Sequence, residues 1–339
     1  MRIAFIPPLA EAGVFCDDYD KKTIGRKDDT MQRYDIAIIG AGPAGLTAGL
    51  YAARDLMKTV IFEKDTAGGL IIQTDVIENY PGAPEDSSGF SLADRMRQQA
   101  VDAGCTLLYE NITSVEKTGE GFVLSSAKEQ YLASAVIIAG GSVPRKLGVP
   151  GEAEFTGRGV SYCATCDAMF FRGKVVGVSG GGDSAVKEAN FLTRFASKVY
   201  LFHRRDELRA RGEVRERILN NPKCEIMYNR TVEKINGDMK VTSVELKDTV
   251  TGEISELPLD GIFVFNGFVP DTGIFRDLVE TDSDGWIITD ERMRTNVPGI
   301  FAAGDVRNTV LRQVVTAAAD GAVAATQAGL WVDENGGKI

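Results

Sequence analysis

The chain has 339 residues, enough for two domains, and its 44% hydrophobic and 25% charged residues are the balance of an ordinary globular protein. A net charge of −10 argues against a nucleic-acid surface, and no apolar run approaches the roughly 18 residues a membrane helix needs. A single histidine, His203, excludes chemistry that requires two. The 5 scattered cysteines, Cys16, Cys105, Cys163, Cys166 and Cys224, do not form a secreted disulfide framework, so a cytoplasmic location is expected.

Residues 1–30, with Pro7-Pro8 and a charged stretch through Asp29, read as an N-terminal extension without a signal-peptide pattern. Residues 34–39 (YDIAII) predict a buried strand. It runs into a glycine turn, Gly40-Ala41-Gly42-Pro43-Ala44-Gly45, and then a helix over about 46–54; residues 59–62 (TVIF) give the next strand. A less regular stretch at 67–89, a helix over about 92–103 and short strands precede another buried strand at 135–139 (AVIIA). The pattern then repeats. A strand at 174–179 (KVVGVS) meets a second turn, Gly180-Gly181-Gly182-Asp183-Ser184-Ala185, followed by a helix over 186–195 and a strand at 198–202 (KVYLF). Residues 232–257 alternate as a β-meander, and 299–330 return to the first unit's style, ending in an Ala-rich helix. The expected fold is α/β: two doubly wound, Rossmann-like, three-layer (ββα) dinucleotide-binding domains, the second inserted into the first. The first would comprise residues 31–146 and 273–339, and the second residues 147–272.

Each turn reports on its ligand. Gly40, Gly42 and Gly45 are spaced to bend the chain, admit a pyrophosphate to the backbone and let helix and strand pack closely. Glu63, at the end of the following strand, stands where a carboxylate accepts hydrogen bonds from a ribose 2′-OH. In the second turn Ala185 replaces the third glycine after Gly180 and Gly182, and the following strand ends in His203-Arg204-Arg205, with Arg209 close behind. Arginines there bind a 2′-phosphate that a carboxylate would repel. The first site therefore suits an adenosine with free ribose hydroxyls and the second suits NADPH, while Arg211, Arg215 and Arg217 read as a solvated helix face.

The chemical centre is Cys163-Ala164-Thr165-Cys166-Asp167. Two thiols at this spacing can close a disulfide and exchange it with a partner, and Asp167 is placed to relay a proton. A structural zinc site needs four ligands that the isolated remaining cysteines and lone histidine do not supply, so no metal is expected. Cys224, after Pro222, reads as a loop residue with an exposed thiol. Because a hydride donor does not readily reduce a disulfide directly, a cofactor must stand between them.

Over about residues 34–332 the chain resembles the low-molecular-weight thioredoxin reductases, through GAGPAG at 40–45, CATCD at 163–167, GGGDSA at 180–185, HRRDELRA at 203–210 and GIFAAGD at 299–305. The resemblance implies FAD in the first domain, held by Gly40, Gly42, Pro43, Ala44 and Gly45, by Glu63 and Lys64, and by Gly304 with Asp305 on the ribityl chain. It places Gly69, Leu70, Gln73 and Asn79 along the isoalloxazine ring, with Arg312, Gln313 and Val314 near the flavin at a helix start. NADPH would lie against Gly180, Gly182, Asp183, Ser184, Ala185, His203, Arg204, Arg205 and Arg209. By the same resemblance Cys163 is the nucleophile, Cys166 the flavin-proximal thiol and Asp167 the acid. Electrons would pass from NADPH to FAD, to the Cys163–Cys166 disulfide, and then by dithiol exchange to oxidised thioredoxin. A homodimer with a rotating NADPH domain is implied, without nucleic-acid or membrane partners. Departures from the family pattern are Ala168 and Gly140, where glycine and threonine are usual, and Lys187, at a position usually acidic. Alternatives are a relative using ferredoxin or NADH as donor, or a glutaredoxin-like acceptor, and a redox-silent nucleotide-binding module. The arginine cluster opposes the first and the cysteine pair opposes the last.

Overall fold

The computed structural model describes residues 31–335 except 75, 78 and 85–87, so the extension expected over residues 1–30 lies outside the described residues. Strand β1 (Gln32–Ile39) is buried through most of its length, as its unbroken apolar run requires of a central parallel strand. It leads into α1 (Pro43–Arg54), whose proline occupies the first turn, where a missing N–H costs nothing. Then come β2 (Thr59–Phe62), α2 (Gly89–Asp102), β3 (Thr106–Leu108), β4 (Ile112–Thr118), β5 (Gly121–Ser126) and β6 (Gln130–Ile138). The sheet runs β3-β2-β1-β6-β5-β4, parallel through its first four strands and antiparallel from β6 to β4.

Alternation along these strands divides the core into two faces. Ile36, Ile38, Ile61 and Ile137 pack with the helices, while Ala37, Val60, Val136 and Ile138 pack with Phe122, Leu124 and Tyr131 on the other side. Each such isoleucine contributes about 1.5–3 kcal/mol on burial, and a one-residue slip would turn every one to the wrong face.

The chain leaves this sheet by β7 (Ser142–Pro144) and passes α3 (Glu152–Phe155), β8 (Val160–Ser161) and α4 (Ala164–Asp167). A second βαβ unit follows: β9 (Val175–Ser179), α5 (Asp183–Leu192), β10 (Lys198–His203), α6 (Gly212–Leu219) and β11 (Cys224–Tyr228). The meander is β12 (Arg230–Gly237), β13 (Val241–Asp248) and β14 (Ile254–Pro258), after which come β15 (Gly261–Val264) and β16 (Phe268–Pro270). The parallel order is β11-β10-β9-β15-β8. Val176, Val178, Val199 and Leu201 face α5 and α6, and Phe202, Ile262 and Val264 face Val232, Val244 and Leu246 of the meander. Helices on one side of a parallel sheet and antiparallel strands on the other give the expected three layers a second time.

Outgoing β7 and returning β16 pair antiparallel, Val143 opposite Val269. Strand β17 (Ile300–Ala302) then rejoins the first sheet beside β6, with Phe301 opposite Ile137, and α7 (Val314–Asn335) closes the chain. Helix α7 lies tight on α1: a Cβ on Gly321 would come 2.1 Å from the Ala44 carbonyl oxygen.

Element starts differ from the sequence expectation. Helices α1 and α5 begin within the glycine turns, because their first residues carry no apolar periodicity. Helix α2 begins at Gly89 because the Ser88 hydroxyl accepts the Ser91 N–H at 3.1 Å, a cap that replaces an apolar signal. Cys224 corrects the expectation of an exposed loop thiol: it opens β11 opposite Val199, is half-buried, and its thiol is pushed up to about 12 by burial. Among the described residues no helix is long and apolar enough to cross a membrane.

Candidate active site

The first turn is shaped by two glycines. Gly40 has φ +106°, and a Cβ on it would lie 2.4 Å from the Ala139 carbonyl oxygen; a Cβ on Gly45 would lie 1.9 Å from that of Gly40. Gly42 has open space, a Cβ there meeting only Gly69 Cα at 4.0 Å. Glu63 accepts the Ala41 N–H through Oε2 at 2.8 Å and the Asp65 N–H through Oε1 at 2.9 Å, so its carboxylate sits at the mouth of the turn. Lys64 turns elsewhere, pairing with Asp271 at 2.6 Å just after β16; the hydrogen bond to Asp271 raises the lysine above its ordinary range.

Other candidates converge on this turn. The Gly68 N–H donates to the Ala41 carbonyl at 2.7 Å, which brings the short helical turn Gly69–Gln73, with half-buried Leu70 and Gln73, beside Gly42. Gly304, at φ +77°, abuts Ala44, where a Cβ would lie 2.8 Å from the alanine methyl. Asn79 donates to Gln313 Oε1 at 2.9 Å, just before Val314 opens α7. Asp305 is held in a turn next to Gly304, and burial pushes its carboxyl up while Arg312 pulls it back. The Arg312 guanidinium stacks 3.6 Å from the Trp286 ring centre, and its Nε is buried without a hydrogen-bond partner among the described residues.

The second turn is built differently. Ala185 packs against Gly180, whose Cβ would lie 2.5 Å from the alanine methyl, so an alanine takes the third glycine's place without opening the turn. The buried His203 ring covers Gly181, with Nε2 unpartnered among the described residues. Desolvation lowers the His203 pKa, against backbone hydrogen bonds at Glu207 and Gly180 that raise it, and the nearby Arg209 and Arg205 charges lower it further. The Arg209 and Ala210 N–H groups donate to the Gly181 carbonyl at 2.8 and 3.1 Å, which folds the arginine loop over the turn. Gly182 keeps an open edge, where a Cβ would meet only Arg209 Nη2 at 3.7 Å, and Asp183 and Ser184 start α5 in the open. Arg204, Arg205 and Arg209 are exposed, and no carboxylate pairs with them among the described residues. Arg215 and Arg217, expected on a solvated face, pair with Glu207 at 2.7 Å and with Glu213.

Cys163 and Cys166 are joined in a disulfide, with Cα atoms 5.4 Å apart. Cys163 caps α4, and the Cys166 N–H points at its sulfur from 3.1 Å, in place to donate to a charged sulfur. Ser161 Oγ accepts the Cys163 N–H and donates to the Cys163 carbonyl, both at 3.1 Å, which fixes the Cys163 backbone. Ala164 and Ala168 are buried against α5, so the methyl of Ala168, the departure from glycine, fills core space. Cys166 is exposed, Asp167 half-exposed, and the next residues, Met169 and Phe170, are 58% and 72% exposed.

Sequence reasoning missed Trp286 and the buried pair Arg307–Asp320. Nothing local marks Trp286. Asp320 left a signal in being the one charge in AAADGAVAA, where a helix otherwise made of small apolar residues must find it a partner.

The pattern of the pyridine nucleotide-disulphide oxidoreductases matches residues 34–321. The chain belongs to that family. A thioredoxin reductase of Peptoclostridium acidaminophilum is 49% identical over 308 residues, which is 89% of this chain and 98% of that one. A solved thioredoxin reductase of Lactococcus lactis, in its FR conformation, is 44% identical with a TM-score of 0.84, covering 89% of this chain and 99% of its own. That of Streptococcus pyogenes has the same identity and the same coverage of both chains, with a TM-score of 0.60. Among these oxidoreductases the chain sides with the thioredoxin reductases, and the family implies FAD and NADPH as cofactors.

The residues present fit those groups. The open edge at Gly42, the half-buried Asp305 carboxylate and the Arg312 Nε, unpartnered among the described residues, suit a polar, phosphate-bearing flavin; the exposed arginines and the open edge at Gly182 suit a 2′-phosphorylated nucleotide. Gly45→Ala is expected to destabilise the fold by about 1–3 kcal/mol and to lower the flavin retained on purification. The ratio of visible to ultraviolet absorbance, with the melting temperature, checks both.

Proposed function

We propose that the chain is an NADPH-dependent thioredoxin-disulfide reductase, with the net reaction NADPH, a proton and oxidised thioredoxin giving NADP⁺ and thioredoxin dithiol. The observation that carries this is the closed Cys163–Cys166 pair, packed through Ala164 and Ala168 on the same helix, α5, that opens from the second glycine turn. The FAD domain would be residues 31–146 and 273–339, and the NADPH domain 147–272, with the β7–β16 ladder as the connection between them. Glu63 and Gly40, Gly42 and Gly45 would hold the FAD adenosine and pyrophosphate, and Asp305 the ribityl chain. Gly69, Leu70, Gln73 and Asn79, with residues 312–314, would flank the ring, and His203, Arg204, Arg205 and Arg209 would hold the 2′-phosphate of NADPH.

Bound FAD supplies a two-electron relay between a hydride donor and a disulfide. The residues of the chain do the rest. Two electrons and two protons open the Cys163–Cys166 bond to two thiols. The Cys163 thiolate attacks a thioredoxin disulfide, whose S–S bond breaks as a mixed disulfide forms, and the departing thioredoxin sulfur takes a proton. The Cys166 thiolate then attacks Cys163 Sγ, restoring the internal disulfide and releasing the second thioredoxin sulfur. Asp167, beside Cys166, is the group placed to hold the exchanged proton. Exposed Met169 and Phe170 offer the incoming protein an apolar contact.

Both the flavin and the thioredoxin must reach one cysteine pair, which calls for motion about the β7–β16 connection. Equal identity to two solved relatives with TM-scores of 0.84 and 0.60 supports that motion, since sequence divergence does not account for the gap. A homodimer fits the groove of about 350 Å³ along α1, α2 and α7, where Leu50, Tyr51 and Val315 leave apolar surface. A cytoplasmic location fits the single working cysteine pair.

Anaerobic titration with NADPH tests the function. Uptake of four electrons per chain, two at the flavin and two at the disulfide, is expected, against two in Cys163→Ser; two in both would reject the reductase. Assaying NADH and a reduced ferredoxin as donors, and a glutaredoxin-like protein as acceptor, decides between this reaction and its relatives.

A further inference from the structure

Asp320 lies in the middle of α7 and is 8% exposed, among Ala317, Gly321 and Ala324. Its Oδ2 accepts the Gly304 N–H at 3.1 Å and Arg307 Nε at 2.7 Å; its Oδ1 accepts Arg307 Nη2 at 3.2 Å. Arg307 also donates from Nη1 to Thr289 Oγ1 at 3.0 Å. The pair is largely sealed, with side-chain exposures of 15% and 11%. A buried, two-pronged carboxylate–guanidinium pair is geometrically demanding, and removing one partner strands the other charge.

The pair sits around the turn Gly304–Val306. That turn has little of its own to fix it: the Arg307 N–H to Gly304 carbonyl contact is long, at 3.3 Å. Its orientation comes from outside. One carboxylate grips the backbone on one side of Asp305, at Gly304, and the side chain on the other, at Arg307. On its far side Gly304 is pressed against Ala44 of the first glycine turn.

We propose that the Asp320–Arg307 pair is a positioning device that clamps both flanks of Asp305 and sets its carboxylate toward the flavin's ribityl hydroxyls. This rests on the assignment of Asp305 to the flavin. Asp320 touches no ligand itself; it acts through the turn. Electrostatics agree with the geometry. Burial foremost pushes the Asp305 carboxyl up, Arg312 pulls it down, and the Asp320 charge pushes it up again, so the two carboxylates sense each other across the turn.

The test is FAD binding by apoprotein, followed by quenching of flavin fluorescence, with NADP⁺ binding measured alongside. Asp320→Asn is expected to raise the FAD Kd roughly ten- to a hundredfold and to shift the bound flavin's visible band, with NADP⁺ affinity unchanged. In an Asp305→Ala background the same substitution is expected to have little further effect, because the device works through Asp305. Unchanged FAD affinity in Asp320→Asn, or an equal loss with and without Asp305, would overturn the proposal. If Asp320→Asn does not fold, Arg307→Lys keeps the charge and gives up the fork. It is expected to weaken FAD several-fold, and wild-type affinity there overturns the proposal equally. Wild-type apoprotein that takes up no FAD at all would instead reject the assignment of the flavin site.

Discussion

Cys163→Ser is expected to abolish thioredoxin-dependent NADPH oxidation, on the order of 10⁴-fold or more, because it removes the sulfur on which the covalent exchange is built. Its mirror, Cys166→Ser, loses turnover as completely and for a different reason. Cys163 there is held by Ser161 on both sides of its backbone and still faces the residue-166 N–H, so it can attack a disulfide but has no neighbour to resolve the product. A stable mixed disulfide with thioredoxin should accumulate in Cys166→Ser and not in Cys163→Ser. Non-reducing electrophoresis and intact mass distinguish the two. Trapping by the opposite variant would exchange the roles of the two cysteines, and turnover by either single variant would remove the pair from the reaction. Both variants should still take two electrons from NADPH, which separates loss of exchange from loss of flavin.

Much of this arrangement was legible because the chemistry is local. A strand, a glycine turn, a helix and a second strand occupy about thirty residues, and the glycine fingerprint and strand-end residues of each unit lie inside that window. Gly40 to Glu63 on one side, and Gly180 to Arg209 on the other, can be read in order without knowing the rest of the fold. The apolar runs in YDIAII and KVVGVS also marked both segments as buried strands, but a strand apolar on both sides does not say which residues it turns to the helices. What was not legible depends on long-range approach. Trp286 meets Arg312 across 26 positions that include β17, and Asn79 reaches Gln313 across 234 positions, pairings that no periodicity encodes. Lys64 follows Glu63 directly, and its ion pair with Asp271 forms only because the strand returning from the second sheet passes the end of β2. Cys224 was misplaced because Pro222 marks a turn that ends one residue sooner than expected, at Lys223, and the parallel partner that buries the thiol, Val199, lies in another strand.

Specificity for the phosphorylated nucleotide should reside in side chains whose backbone is already fixed. The Arg204 carbonyl accepts the Thr249 hydroxyl at 3.2 Å and the Arg205 carbonyl accepts the Asn229 N–H at 3.1 Å, so the loop is held from the meander side. Removing the two guanidinium groups therefore leaves the loop in place and deletes charge alone. Each charge-assisted contact to a 2′-phosphate is worth about 1.5 kcal/mol at an exposed site, or roughly tenfold. Arg204→Ala with Arg205→Ala should then raise the KM for NADPH on the order of 100-fold, leave kcat within about twofold, and barely change the KM for NADH. High salt should shrink the wild-type preference in the same direction, because exposed pairs are screened beyond about 10 Å at 0.1 M ionic strength. Steady-state kinetics with both nucleotides at low and high salt measure this. Equal losses for NADPH and NADH would mean that the arginines support the fold of the second turn, and that nucleotide choice is made by the buried His203 ring or by Arg209 above Gly182.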